Sequence, residues 1–243
     1  MSKINLSGII LSLCAISLGF IIIGIILFKM DSDKSVTPPV SLTEELNASG
    51  FELGDPVFLR IIKTTEENSK GQIEAFIDSG DGKYEFFKSW ETCTWSGELG
   101  PKFKEGDKQS PEGFYSVSEE LLNPNSSYHL SFNLGYPNEY DQFHGRTGSF
   151  LMVHGECSSI GCYAMGNPNI EQIYSLVQSA IEMGQQNVAV HAVPFPMTAE
   201  NIEKYNDNDH IEFWRNLKEG SDFFETNKHP PKVSVTDGEY SFK

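Results

Sequence analysis

Cysteine is scarce in this sequence, which contains only four cysteines among 243 residues. Small secreted domains that depend on disulfides carry many more, so a disulfide scaffold is excluded and the chain needs a hydrophobic core. Cys14 lies in an apolar N-terminal stretch, which leaves Cys93, Cys157 and Cys162 for the rest of the chain. A zinc site built from His154, Cys157 and Cys162 would lack a fourth ligand and the usual paired spacing. We therefore expect no metal.

Basic residues are also in short supply. The chain has 18 lysines and arginines against 34 aspartates and glutamates, which gives a formal net charge of −16. Nucleic acids and anionic membrane surfaces would repel such a chain, so we expect neither as a partner. The acidic surface indicates solubility rather than a particular function.

Charge is absent from residues 9–28, a stretch flanked by Lys3 and Lys29. About 20 apolar residues suit a membrane-spanning helix, whereas the apolar part of a cleaved signal peptide has about 7–15 residues. No small-residue cleavage site follows the stretch. We therefore expect residues 1–30 to form an uncleaved, single-pass membrane anchor. Residues 31–54 should be a tether rich in Ser, Thr, Pro and acidic residues, and residues 55–243 the folded domain.

Short apolar and β-branched segments dominate the first half of this domain. Residues 73–77 and 84–88 flank the turn sequence Asp-Ser-Gly-Asp-Gly, a pattern that predicts a β-hairpin. Apolar residues at helical spacing begin near Asn169, and a later helix near residues 209–217 should stop before Gly220. We therefore expect an α+β fold, mostly β, with a few peripheral helices.

Reactive side chains concentrate in residues 148–165, which read GSFLMVHGECSSIGCYAM. An apolar β-type segment ends at His154, a polar loop follows, and Gly161 directly precedes Cys162. A cysteine is nucleophilic as the thiolate, which a neighbouring imidazole can generate. Backbone N–H groups at Gly161 and Cys162 should be free in such a turn and could hold an oxyanion, and Ser159 is a candidate positioning group.

This stretch resembles the catalytic core of the L,D-transpeptidases, peptidoglycan enzymes with a YkuD-type catalytic domain. Their pattern is a strand that ends in His-Gly, a loop, and then Ser-x-Gly-Cys, here residues 154–155 and 159–162. The short loop and the sequence Gly-Cys-Tyr-Ala-Met resemble the YafK-like branch. Similarity extends from about Pro56 to Lys243. The further motifs that carry it are WSGELGPK (residues 95–102), EGD (105–107), SPEGFY (110–115), HGRTG (144–148) and PFPMT (194–198).

The resemblance implies a β-sandwich or barrel-like catalytic domain in the periplasm, held at the inner membrane by the N-terminal anchor. It implies that Cys162 is the nucleophile, that His154 is the general base and proton donor, and that no cofactor is needed. The implied partners are peptidoglycan stem peptides and a lipoprotein linked to them. Family members cross-link stems, attach lipoproteins or detach them, so both transpeptidation and hydrolysis remain open.

Several side chains near the motif allow more than one interpretation. His144 also precedes a glycine, so it is either the rival of His154 as the base or a substrate contact. Arg146 could clamp a substrate carboxylate with its planar guanidinium or form a structural ion pair. Tyr163 is a further substrate-binding candidate. Many relatives carry Arg or Asn two residues after the nucleophile, where this chain has Ala164, so a usual substrate contact is missing.

Two further alternatives concern the cysteines and the function itself. Outside the cytoplasm Cys93 and Cys157 could form a disulfide, which would leave Cys162 as the unpaired thiol. The chain could also be a non-catalytic, membrane-anchored module that binds peptidoglycan. A pure binding protein, however, has no need of a nucleophile near a histidine.

Overall fold

The computed structural model describes residues 41–66 and 68–243. The predicted anchor, residues 1–30, and the first part of the predicted tether lie outside these residues. Within the described part of the chain, no helix combines the length and the apolar character needed to cross a membrane. The described residues belong to one compact unit that starts at Ser41.

The folded domain begins earlier than the sequence pattern predicts. Helix α1, Leu42–Ala48, starts with a capping box between Ser41 and Glu44, in which each side chain accepts from the backbone N–H of the other residue. Leu46 is fully buried in the main core, and Phe51 is buried there as well. The second half of the predicted tether is therefore part of the domain, because its apolar side chains pack against the sheets.

The larger of the two main sheets has five strands. They are β1 Val57–Ile62, β2 Gln72–Asp78, β3 Tyr84–Glu91, β4 Gly113–Val117 and β9 Val188–Val193. Their order across the sheet is β3-β2-β1-β9-β4, with β1 and β9 parallel and the other neighbours antiparallel. The predicted hairpin is confirmed as β2 and β3. Strands β1 and β9 are buried on both faces, which accounts for their nearly unbroken apolar sequences.

A second, four-stranded sheet carries the reactive motif. Its strands are β5 Leu122–Asn123, β6 Ser131–Asn133, β7 Met152–His154 and β8 Tyr163–Ala164, in the order β5-β6-β7-β8. Strands β7 and β8 are parallel, whereas β6 runs antiparallel to β7 on its other side. The two halves of the motif, which flank the polar loop in the sequence, therefore lie side by side in the sheet.

The long helix that follows β8, Asn167–Glu182, packs against both sheets. The helices that follow α1 are α2 Glu139–Phe143, α3 Asn167–Glu182, α4 Ala199–Lys204 and α5 Ile211–Asn227. The apolar face of α3 is buried, and it contacts β1 and β9 of the larger sheet and β6 and β7 of the smaller one. The expectation of a mixed α+β fold, mostly sheet and with few helices, is confirmed.

Helix α5 does not stop before Gly220, contrary to the sequence-based expectation. It continues to Asn227, with Gly220 in its interior. A Cβ atom at Gly220 would lie 2.5 Å from Phe114 Cζ and 2.6 Å from Phe242 Cε1. The glycine lets both aromatic rings pack directly against the helix, and this packing outweighs the poor helix propensity of glycine, about 1 kcal/mol.

The chain ends in a hairpin that packs against α5. Strands β10, Val233–Thr236, and β11, Glu239–Phe242, pair in antiparallel fashion around a tight turn. The Asn216 side chain on α5 donates to the Tyr240 carbonyl at 3.0 Å and accepts from the Tyr240 N–H at 2.8 Å. This pair of hydrogen bonds fixes β11 along the helix.

A buried ion pair joins the larger sheet to the segment before β4 and to α5. Lys63 Nζ lies 2.9 Å from Glu112 Oε1, and both side chains are fully buried. The same carboxylate accepts from the Gly100 N–H at 2.7 Å and from Trp214 Nε1 at 2.8 Å. Burial lowers the pKa of Lys63, and the Glu112 carboxylate opposes that effect. The charges are tolerated in the core because both groups are paired and hydrogen-bonded.

Glu112→Ala should strongly destabilise the protein, since it leaves the Lys63 ammonium buried without its counter-charge. Removing one partner of a buried ion pair costs about 3–5 kcal/mol. Urea unfolding followed by tryptophan fluorescence measures the free energy of unfolding. The double variant Lys63→Met/Glu112→Leu removes both charges and should recover part of the loss, since it still leaves the N–H groups of Gly100 and Trp214 without their acceptor. A loss below about 1 kcal/mol in the single variant would contradict the role assigned to this pair.

Candidate active site

The register of β7 and β8 puts the two predicted reactive side chains on one face of the smaller sheet. Val153 and Tyr163 pair across these parallel strands, and both side chains are buried in the core. Successive side chains of a strand point to opposite faces. His154 and Cys162, each one residue away from this pair, therefore project from the other face. The Met152 N–H donates to Cys162 Sγ at 3.4 Å, which holds the thiol beside β7.

Cys162 carries a partly buried, free thiol. The thiol donates to the Phe150 carbonyl at 3.6 Å. Burial raises the pKa of the Cys162 thiol, whereas the Met152 N–H and the Lys102 ammonium lower it. Burial has the larger effect, so the thiol is protonated at neutral pH and needs a base to become a nucleophile.

His154 is oriented to accept a proton. The residue is buried, and its Nδ1 lies 2.5 Å from the Gly155 carbonyl oxygen. Because a carbonyl can only accept, Nδ1 carries the hydrogen and Nε2 keeps its lone pair. The Tyr128 ring packs on the imidazole, with 4.8 Å between the ring centroids. Burial lowers the pKa of His154, despite the opposing effects of Gly155 and Glu156, so the imidazole is neutral at neutral pH.

Three serine hydroxyls fix the turn that leads into Cys162. Ser159 Oγ accepts from the Gly161 N–H at 3.2 Å and donates to the Cys162 carbonyl at 2.7 Å. Ser110, which is buried, donates to the same carbonyl at 3.0 Å. Ser96 Oγ completes the cluster, 3.2 Å from Ser159 Oγ. The carbonyl of the predicted nucleophile thus has two hydroxyl donors, which restrain its backbone.

The backbone donors available for an oxyanion differ from the sequence-based expectation. The Gly161 N–H is not free, because Ser159 Oγ already accepts it. The Cys162 N–H makes no hydrogen bond within the described part of the chain and is the better oxyanion donor. Gly161 instead allows the turn itself. Its φ is +143°, and a Cβ atom there would lie 3.0 Å from Leu151 Cδ1.

A disulfide anchors the loop between His154 and Cys162. Cys157, within this loop, is bonded to Cys93, with 5.4 Å between the two Cα atoms. The Cys93 N–H donates to the Ala164 carbonyl at 2.8 Å, so the disulfide ties the loop to backbone that already borders β8. The pairing suggested by the cysteine count is confirmed, and it removes Cys157 as a zinc ligand.

Arg146 forms a structural ion pair. Its Nη1 donates to Asp141 Oδ1 at 2.8 Å, and the residue is only 8% exposed. The guanidinium packs against the aromatic rings of Phe103, Tyr140 and Phe213. A group so enclosed would have to leave all of these partners to clamp a substrate carboxylate. Of the two interpretations of Arg146, the structure favours the ion pair.

His144 and Tyr163 are also engaged elsewhere. His144 Nε2 lies 2.8 Å from the Gly238 carbonyl oxygen in the C-terminal hairpin. The expectation that Tyr163 binds substrate is wrong, since the residue is fully buried and its hydroxyl donates to the Pro111 carbonyl at 2.6 Å. Strand alternation is the cause, because Tyr163 must point into the core when Cys162 before it points out.

Sequence reasoning missed three side chains near this site: Ser110, which donates to the Cys162 carbonyl, Ser96, which contacts Ser159, and Lys102, which packs against Gly148. They occur in the motifs WSGELGPK and SPEGFY, which carry the family resemblance but lie far from Cys162 in the sequence. Local spacing in the sequence cannot reveal these contacts. Their occurrence in these motifs is the one signal that the sequence offers.

Alkylation of Cys162 by iodoacetamide should accelerate with pH through the neutral range and level off above the ordinary thiol pKa of about 8.5. Burial raises the pKa of Cys162 and lowers that of His154, so we expect no preformed thiolate–imidazolium pair. Peptide-resolved mass spectrometry of the full chain separates Cys162 from Cys14. A rate that has already reached its plateau in mildly acidic solution would contradict this account.

The sequence matches the family model of the L,D-transpeptidase catalytic domain, YkuD, over residues 77–221. Over 188 residues it is also 43% identical to YafK of Escherichia coli, in strain K12 and in O157:H7. YafK is named as a candidate L,D-transpeptidase. The aligned region covers 77% of this chain and 74% of YafK.

Two solved structures show a looser likeness. Pgp2 of Campylobacter jejuni, a helical cell shape determining protein, is 19% identical with a TM-score of 0.42, over 81% of each chain. Bd1075 of Bdellovibrio bacteriovorus is 19% identical with a TM-score of 0.37, over 70% of this chain and 60% of its own. Such scores support no conclusion about function. The sequence match, however, spans more than half of the chain, and the chain therefore belongs to the L,D-transpeptidase family with a YkuD-type catalytic domain.

Proposed function

We propose that this protein is a cysteine-dependent acyl-transfer enzyme that acts on peptidoglycan stem peptides through a thioester on Cys162. Membership of the L,D-transpeptidase family supports the reaction class and the substrate class. The relationship to YafK points the same way. The observation that carries the proposal is the shared face of His154 and Cys162, with the Nε2 lone pair free to take the thiol proton.

The first half-reaction forms the thioester. The Cys162 thiol gives its proton to His154 Nε2, and the sulfur attacks the carbonyl carbon of the bond between an L-configured centre and a D-residue. The Cys162 N–H stabilises the oxyanion that develops on the carbonyl oxygen. The C–N bond then breaks as the imidazolium returns its proton to the departing amine. The products are that amine and an acyl group on sulfur.

The second half-reaction releases the acyl group. His154 takes a proton from water or from an acceptor amine as it attacks the thioester, and the departing thiolate is then reprotonated. An amine gives transpeptidation, whereas water gives hydrolysis. Ala164 stands where many family members carry Arg or Asn, and it is fully buried, so it offers no polar contact to the substrate. This departure favours hydrolysis, including detachment of a peptide or lipoprotein.

The proposed place of action is the periplasm, with the chain held at the inner membrane by residues 1–30. The charge-free, apolar sequence of residues 9–28 supports the anchor. The Cys93–Cys157 disulfide supports a domain outside the cytoplasm, since cytosolic thiols are kept reduced.

A non-catalytic peptidoglycan-binding module is the second candidate function. The observation in its favour is that the hydrogen-bond partners of the His154 imidazole and the Cys162 thiol are backbone groups, and no hydrogen bond joins these two side chains in the described structure. Catalytic hydrogen bonds often form only when substrate is bound, however. The oriented Nε2 lone pair and the serine cluster beneath Cys162 serve no purpose in a binding module, so we place catalysis first.

Muropeptide analysis after incubation of the full chain with purified sacculi tests the proposal. The wild-type protein should release or rearrange stem peptides, and Cys162→Ala should abolish this turnover. His154→Gln should lower turnover by about 10²–10⁴-fold, the usual contribution of general acid–base catalysis. His144→Ala is the matched control, because His144 also precedes a glycine but bonds to the C-terminal hairpin, and it should retain near wild-type turnover.

Two results would count against the proposed site. One is turnover that persists in Cys162→Ala, and the other is loss in His144→Ala together with retention in His154→Gln. Binding of the wild-type protein to sacculi with no change in their muropeptides would favour the binding module instead.

A further inference from the structure

Lys102 is a buried ammonium group that the mechanism above does not use. Its side chain is only 4% exposed. Its Nζ donates to Asp107 Oδ1 and, at 2.9 Å, to the Lys104 carbonyl. Asp107 in turn accepts from the N–H groups of Phe103, Lys104 and Gln109. The loop therefore closes around the ammonium and fixes its position.

Lys102 packs against the segment that borders the Cys162 thiol. A Cβ atom on Gly148 would lie 2.8 Å from Lys102 Cε, so the lysine stem touches this backbone directly. Two residues further along, Phe150 has a φ of +54°, and its carbonyl accepts from the Cys162 thiol at 3.6 Å. The ammonium and the thiol thus adjoin the same short stretch of chain.

We propose that the Lys102 ammonium, held by Asp107, supplies the positive charge that stabilises the Cys162 thiolate during attack. The proposal rests on the proposed role of Cys162 as the nucleophile. Lys102 does not touch the reacting atoms, so it is a positioning residue that acts through its electric field. When sulfur attacks, the thiol proton passes to His154, and the negative charge that develops on sulfur meets the positive charge of Lys102.

The charge of Lys102 shifts the pKa of Cys162 in the direction that the proposal requires. A positive charge favours thiolate over thiol, and Lys102 accordingly lowers the pKa of Cys162. Burial raises that pKa by more, so Lys102 reduces the desolvation penalty without cancelling it. A fixed charge in a poorly solvated site interacts more strongly than the same charge in water.

Other titratable groups lie near Lys102 and Cys162. Glu105 and Asp107 lie on the same loop as Lys102, the Tyr136 ring lies 6.0 Å from Lys102 Nζ, and His154 shares the sheet face of Cys162. The charges of the Asp141–Arg146 ion pair affect the pKa of Tyr136. The charge of Asp107 also raises the pKa of Lys63, which is paired with Glu112.

Asp107 is the direct counter-charge of Lys102. Burial raises the pKa of Asp107, but its hydrogen bonds to Lys102 and to backbone N–H groups lower it by more, so the carboxylate stays ionised. Removing Lys102 or Asp107 should therefore shift the titration of Cys162 in opposite directions.

The test is the pH dependence of Cys162 alkylation by iodoacetamide in the full chain, followed by peptide-resolved mass spectrometry. Lys102→Met should move the titration upward by about one pH unit and slow alkylation near neutral pH about tenfold. At high pH, where the thiol is ionised in both proteins, the two rates should converge. Asp107→Asn removes the opposing negative charge but keeps a side-chain oxygen that accepts from Lys102, so the ammonium stays in place and the titration should move downward.

Lys104→Met is the matched control, because it removes a positive charge from the same loop at an exposed position, and it should leave the titration unchanged. Lys102→Arg keeps the charge and should remain close to wild type. A purely structural role predicts equal slowing of Lys102→Met at every pH, and that result would overturn the proposal. So would an unshifted titration in folded Lys102→Met. If this variant does not fold, Asp107→Asn decides, since an upward shift or no shift overturns the proposal.

This readout does not require peptidoglycan. If only the proposed function is wrong, sacculi remain unchanged while the opposite titration shifts of Lys102→Met and Asp107→Asn persist. If only the role of Lys102 is wrong, the wild-type protein still acts on sacculi and the shifts are absent.

Discussion

The parallel pairing of β7 with β8 is the constraint on which the whole candidate site depends. Because side chains alternate along a strand, a shift of either strand by one residue would turn His154 or Cys162 away from the face that they share. The register is specified by Val153 and Tyr163, which face each other across the strands and are both fully buried. Packing on one face of the sheet thus determines which side chains are available for chemistry on the other.

Strands as short as β7 and β8 need further restraints, and the surrounding chain provides them. The Cys93–Cys157 disulfide ties down the loop between the two reactive residues, and the hydroxyls of Ser110 and Ser159 hold the Cys162 carbonyl. Burial of the site also affects the charges of its side chains. It keeps the thiol and the imidazole neutral at rest, so the proposed mechanism has the proton pass from Cys162 to His154 as the sulfur attacks.

The sequence allowed prediction of features that depend on local pattern. The β2–β3 hairpin follows from its turn residues, and the His-Gly and Ser-x-Gly-Cys spacing singles out His154 and Cys162 as candidate reactive residues. Prediction failed where distant segments meet. Gly220 looks like a helix stop until the rings of Phe114 and Phe242 are seen against it. Lys102 lies near the chain that borders the Cys162 thiol because two loops pack together. The spacing of residues in the sequence does not predict such packing.

The site and rate of acylation by a carbapenem test the central claim most directly, because its strained carbonyl leaves a stable adduct on an attacking thiol. Intact-mass and peptide analysis of the full chain would locate the adduct. We expect one adduct, on Cys162, that is absent from Cys162→Ala and forms about 10²-fold or more slowly in His154→Gln. An adduct on another residue, or an unchanged rate in His154→Gln, would contradict the pairing of these two side chains.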